Sequence, residues 1–193
     1  MTKPGFEERD PSSEPGFFFV NRITRTRRRS NMNEYSVGGG GQTLANAVVT
    51  LVFINPAAAP AVNLEIMRCW IGQSANATSA QQRVQLETQV TAFPTLVSAT
   101  PAKLKRASAV SVITGGTAGA AGTCGINASA EGGGAKTAIL DDGFNVLNGW
   151  LWVPTPRETI VMPAGSTSGF GLYLPAAAAT LTNWHFGVNY AEV

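Results

Sequence analysis

Between Gln82 and Thr91 the residues alternate strictly: Val84, Leu86, Thr88 and Val90 fall on one side, and Arg83, Gln85, Glu87 and Gln89 on the other. A period of two predicts a β-strand with one dry and one wet face. Asn63 to Gly72 alternates in the same way, with Leu64, Ile66 and Trp70 on one side. Val48 to Asn55 is a continuous apolar, β-branched run, which fits a strand buried on both faces. Gly149 to Val153 sets Trp150 and Trp152 against Leu151 and is ended by Pro154 and Pro156. Glu158 to Met162, Gly169 to Leu174 and Thr182 to Tyr190 read as further strands, the first two joined through the tight turn Pro163-Ala164-Gly165-Ser166. The last of them ends three residues short of the C-terminus, so truncation there is expected to damage a sheet. Weaker strand signals lie at Ala109 to Ile113, Thr123 to Ala128 and Lys136 to Leu140. The stretch from Phe93 to Arg106 reads mostly as loop with a basic tip at Lys103, Lys105 and Arg106. No segment carries a helical period, and Ala176 to Ala179 is short and follows Pro175. About eight to ten short strands with turn chemistry between them predict an all-β fold, an antiparallel β-sandwich. A jelly roll fits the strand count and the long middle connections.

The first 37 residues break this pattern. Residues 1–16 mix Pro, Gly and alternating charge, a composition that predicts an extended or disordered segment. Phe17, Phe18, Phe19 and Val20 form an apolar plug expected to dock on a partner or on the chain's own body. Residues 21–30 then carry five arginines, Arg22, Arg25, Arg27, Arg28 and Arg29. Their alternation with Ile23, Thr24 and Thr26 suggests an extended arm, able to add main-chain hydrogen bonds and charge pairs along a neighbour's edge. Gly38 to Gly41 reads as a hinge. The expected organisation is therefore a basic N-terminal arm over 1–37 and a sandwich domain over 38–193.

Charge sharpens that division. The arm holds seven basic and five acidic residues, a net +2, while the rest holds seven of each and is neutral. Only 13% of the chain is charged, about half the usual share. A surface so poor in ions stays soluble only if its apolar parts are covered, which points to contacts with copies of itself or with other subunits. The body shows no basic excess, so nucleic acid is not the expected partner.

Candidate chemistry is sparse. His185 is the only histidine, and no G-x-S-x-G elbow is present. Glu131 to Thr137 looks like a phosphate loop but has Ala135 and Ala130 where glycines are required. Asp141 and Asp142 are adjacent, so on a strand they point to opposite faces and cannot flank one bond. With Asn145, Asn148 and Gly143 they read as turn formers, since no Glu closes a calcium loop. Gly116, Gly119, Gly122 and Gly125 mark a pliable loop or a close approach of chains. Cys69 and Cys124 lie in apolar strand patterns and read as buried thiols, a bridge between them staying open. Asn76 and Asn127 begin glycosylation-like triplets, read as accidents of composition. Trp70, Trp150, Trp152 and Trp184 fit a core or a subunit interface, or a sugar-stacking row. No enzyme, cofactor or metal site is expected. Residues 1–20 lack the apolar run of a signal peptide, and Ala47 to Val62 is broken by Pro56 and Pro60 and too short to span a bilayer. The expectation is synthesis in a cytoplasm, with no membrane partner.

From Val84 to Tyr190 the chain resembles small jelly-roll structural proteins of tailed bacteriophages. The resemblance lies in the loops Gly115 to Gly125 and Ser129 to Gly134, the segment Gly149-Trp150-Leu151-Trp152-Val153-Pro154, and the turn Met162-Pro163-Ala164-Gly165 followed by Phe170-Gly171-Leu172-Tyr173. It implies a capsid decoration (cement) protein on the virion surface, trimeric, assembled in the host cytoplasm. Its N-terminal arm would grip the major capsid protein or other virion subunits. Phe17, Phe18, Phe19 and the five arginines 22, 25, 27, 28 and 29 are then the partner-binding residues. The alternative is a tail or fibre head that recognises a host-surface glycan through exposed tryptophans and the 115–134 loops.

Overall fold

Residues 32–75 and 78–193 are described by a computed structural model, and among them are thirteen strands and no helix. In chain order the strands are β1 (Asn33–Gln42), β2 (Val49–Ile54), β3 (Leu64–Gln73), β4 (Gln81–Val90), β5 (Thr95–Ser98), β6 (Ala102–Lys103) and β7 (Thr114–Gly115). There follow β8 (Thr123–Ala130), β9 (Ala135–Asn145), β10 (Trp150–Trp152), β11 (Ile160–Met162), β12 (Ser168–Leu174) and β13 (Trp184–Glu192). Sheet I runs β10-β3-β13-β1-β6, with β11 beside β10 on β3. Sheet II runs β5-β8-β2-β12-β4-β9, with β7 on β8. Every pairing is antiparallel except that of β7 with β8.

Set aside β5 to β8, and count the short pair β10 and β11 as a single strand. The remaining eight then lie in the order first-eighth-third-sixth in sheet I and second-seventh-fourth-fifth in sheet II. That is the strand order of a jelly roll, two interlocked Greek keys closed into a sandwich. The residues between β4 and β9 are an excursion that widens both sheets on one side. There β8 adds to the edge of β2 and β6 to the edge of β1.

The core lies between the sheets. Its largest fully buried side chains include Trp184, Tyr35, Tyr190, Phe170 and Phe186. Sheet I supplies inward residues such as Val37, Cys69, Ile71 and Val188, and sheet II supplies Val84, Leu86 and Leu172. The Tyr35 and Tyr190 rings meet at 5.5 Å between centroids. The Tyr35 hydroxyl donates to the Ala109 carbonyl at 3.0 Å, so a buried phenol keeps its polar tip satisfied. Cys69 and Cys124 are both free and buried, one in each sheet. Burial pushes both thiols up, Cys124 to about 12.

Three expectations need correction. Gly38 to Gly41 is not a hinge but the second half of β1, so the boundary drawn after residue 37 falls inside a strand. Gly38 pairs with Gly187, and a Cβ on Gly38 would run into the Phe186 carbonyl. Gly38 serves close backbone approach, and a run of four glycines leaves no side-chain pattern to read. Thr95 to Ser98 is a strand on β8 where loop was expected. Ala109 to Ile113 is not a strand. Ile113 is buried, while the Val112 amide donates to Glu192 Oε1 at 3.0 Å instead of to a ladder.

Candidate functional site

The outward face of sheet II carries an ion cluster. Glu87 lies opposite Gly171 of β12, and a Cβ there would sit 3.1 Å from Glu87 Cγ. The carboxylate therefore fills the space a side chain would have taken, and it is only 1% exposed. Lys136 of β9 reaches over it, its Nζ 2.9 Å from Glu87 Oε1 and 2.7 Å from Glu131 Oε2. Glu131 accepts the Thr50 amide at 2.7 Å and the Thr50 hydroxyl at 2.5 Å. The ammonium also sits 3.4 Å from the centroid of the Tyr173 ring. Burial raises the Glu87 carboxyl to about 7 against the opposing pull of Lys136. Burial lowers Lys136, but hydrogen bonds and charge from Glu131 and Glu87 outweigh it, and the ammonium is held above its usual range. A lysine saturated by two carboxylates and an aromatic face is no base or nucleophile. It latches the β8–β9 turn onto β2, β4 and β12.

The predicted wet face of β4 is thus half wrong. Glu87 and Gln89 are buried, and Val90 is partly exposed. Gln89 donates to the carbonyls of Ala92 and Glu131 at 3.2 and 3.0 Å. Glu131 and Lys136, rejected as a phosphate loop, have a structural partner that periodicity could not show.

The outward face of sheet I is open by contrast. A cleft of about 430 Å³ lies where β3 and β13 meet the turn between β9 and β10. Trp70, Gly72, Gln73, Asn148, Leu151 and His185 are among its lining. Trp70 pairs across the ladder with Gly187, and a Cβ on Gly187 would run into the indole. Gly72 lies opposite His185. His185 Nδ1 accepts the Gly41 amide at 3.3 Å, and Nε2 meets Ser74 Oγ at 2.8 Å. With Nδ1 accepting, the ring proton sits on Nε2, which donates to Ser74.

The candidate partner-binding residues Phe17, Phe18, Phe19, Arg22, Arg25, Arg27, Arg28 and Arg29 lie outside the described residues. Among the tryptophans, Trp184 is core, Trp150 and Trp152 pack partly against it, and Trp70 lines the cleft. No residue from 115–134 lines the cleft. Asp141 and Asp142 do point apart: Arg83 and Gln85 bind Asp141, and Trp150 Nε1 donates to Asp142 at 3.0 Å. Asn127 is buried, its side chain accepting from the Ala45 amide and donating to the Thr43 carbonyl, both at 2.8 Å. Among the described residues no group of three or more His, Cys, Asp and Glu could hold a metal ion. No helix there is long and apolar enough to cross a membrane. In comparisons with known proteins, no family model, curated protein or solved structure matches the chain.

Proposed function

We propose that the chain is a virion structural subunit, a decoration protein that sits on a capsid and braces neighbouring capsid subunits. The observation that carries this reading is an apolar strip along the β10–β11 edge of sheet I. Leu151, Val153 and Val161 are 57%, 60% and 53% exposed. Leu151 lies opposite Trp70 and Val161 opposite Glu65 on β3. Three branched aliphatics more than half in water, on a chain with so few ions, suit a surface that another subunit covers. The jelly roll supplies a stiff block to carry that strip, although such a fold by itself serves many roles. The basic arm adds a second attachment point, and two weak contacts joined in one chain give avidity. The function is mechanical: added buried area across subunit boundaries raises the shell's resistance to disassembly.

Particles made with and without the chain provide the test. The intact protein is expected to co-purify with capsids and to appear as density on their outer surface. Removing residues 1–31 or introducing Val161→Asp is expected to abolish attachment while the body stays folded. Full occupancy by the armless chain, or absence of the protein from purified particles, would overturn the proposal.

A further inference from the structure

We propose that the cleft beside Trp70 binds a neutral pyranose ring of a glycan. This goes beyond the shell role and does not depend on it.

The cleft is built in advance. A Cβ added to Gly72 would meet nothing within 4 Å, so the floor beside Trp70 and His185 is open for at least a side chain's depth. One wall is the turn after β9. It is fixed by the amides of Asn148 and Gly149 donating to the Asn145 carbonyl at 3.0 and 3.1 Å, and by the Leu147 amide on Asn145 Oδ1 at 3.0 Å. Gly149 has φ +70°, and a Cβ there would lie 2.9 Å from the Ile71 carbonyl oxygen, so only glycine lets the turn close onto β3. The volume of about 430 Å³ falls within the range of small-molecule sites and suits roughly one or two sugar rings.

The chemistry of the lining selects the ligand class. None of the lining residues is Asp, Glu, Lys or Arg. Arg68 is outside the lining but lies over the Trp70 ring, its guanidinium 5.5 Å from the centroid. Among the lining residues themselves a charged ligand would find no counter-ion. What the lining offers is indole and aliphatic surface, the Asn148 and Gln73 amides and the His185 ring. Apolar surface beside uncharged donors and acceptors matches a pyranose, which has C–H faces and a rim of hydroxyls.

The test is a titration of the ¹⁵N-labelled full chain with methyl β-D-glucopyranoside, methyl β-D-galactopyranoside and N,N′-diacetylchitobiose. At least one is expected to give saturable shifts at Trp70, Gly72 and His185 with a Kd of about 1 mM or tighter. Gly72→Val fills the open floor with a side chain that strands favour, and is expected to weaken binding about tenfold or more without lowering the melting temperature. Val161→Asp, which removes capsid attachment in the shell proposal, is expected to leave the titration unchanged, so the two readings fail separately. No saturable shift with any of the three saccharides would overturn the inference, as would shifts that survive Gly72→Val.

Discussion

The two outward faces of this sandwich share one device, an aromatic ring laid over a glycine (Trp70 over Gly187, Phe53 over Gly169), but differ at a second glycine. On sheet II the space over Gly171 is filled by Glu87, and a Cβ on Gly169 would run into the Phe53 ring, which itself packs 5.5 Å from Phe93. On sheet I the space over Gly72 is empty. Sheet II is therefore covered twice, once by the β4–β9 excursion and once by its own ion cluster. Sheet I presents the bare Gly72, one indole with Arg68 over it, and a row of exposed aliphatics. The covered face behaves as a second core.

If that contrast holds, the largest loss should come from unpicking the covered face. Lys136→Met leaves Glu87 buried without its cation, which costs about 3–5 kcal/mol when the carboxylate is charged. Urea denaturation at pH 8 is expected to show that loss, and Glu87→Gln in the same chain to return much of it. Gly169→Val comes next, at about 3 kcal/mol, because the ring of Phe53 has to move. Gly72→Val on the open face should stay within about 0.5 kcal/mol of the parent. Equal losses at residues 169 and 72 would erase the distinction between the faces.

Glu87 also makes the contrast depend on pH. Its carboxyl titrates at about 7 in the folded chain against an ordinary 4.5. Between those values the folded state keeps a proton that the unfolded state has released. Stability is therefore expected to fall as pH rises through that window, by at most about 1.4 kcal/mol per pH unit, and to level off above it. Glu87→Gln should flatten this part of the profile. A slope that survives the substitution would assign it to another group.

The sandwich was legible wherever a strand had one dry side or two. β2, β10 and β12 follow from their apolar positions, and the two buried thiols from their strand context. β3 follows too, but a bulge at Met67 turns Trp70 to the face opposite Leu64 and Ile66, with which the sequence pattern groups it. Legibility failed where a strand's neighbours, and not its own residues, decide exposure. β1 reads as a hinge because its partner β13 also offers a glycine at the contact, Gly187 facing Gly38. Glu87 and Gln89 read as solvent-facing because nothing local announces that Glu131, a long way on in sequence, returns to cover them. The cleft was half visible. Trp70 is one of four tryptophans open to a sugar-stacking reading, but the wall at 146–149 comes from a segment read only as a turn. Its floor is a glycine whose role is the space above it. The 115–134 loops, read as glycan contacts in the alternative, contribute nothing to the cleft lining.

The smallest effect should come from the second ion pair on the same two strands. Arg83 and Asp141 link β4 to β9 as Glu87 and Lys136 do, with Arg83 Nε donating to Asp141 Oδ1 at 2.7 Å and Nη2 to Oδ2. Gln85 adds a bond to Oδ2 at 2.8 Å. Hydrogen bonds from Arg83 and Gln85 hold the Asp141 carboxyl down at about 2. The geometry is better than that of the buried pair, yet both side chains are well exposed. Water and salt screen such a pair, and its ordering cost offsets most of the attraction. Arg83→Ala is expected to shift the urea midpoint no more than an ordinary surface substitution, and by less at high salt than at low. A loss rivalling that of Lys136→Met would mean that strand linkage, and not burial, is what makes the cluster on sheet II matter.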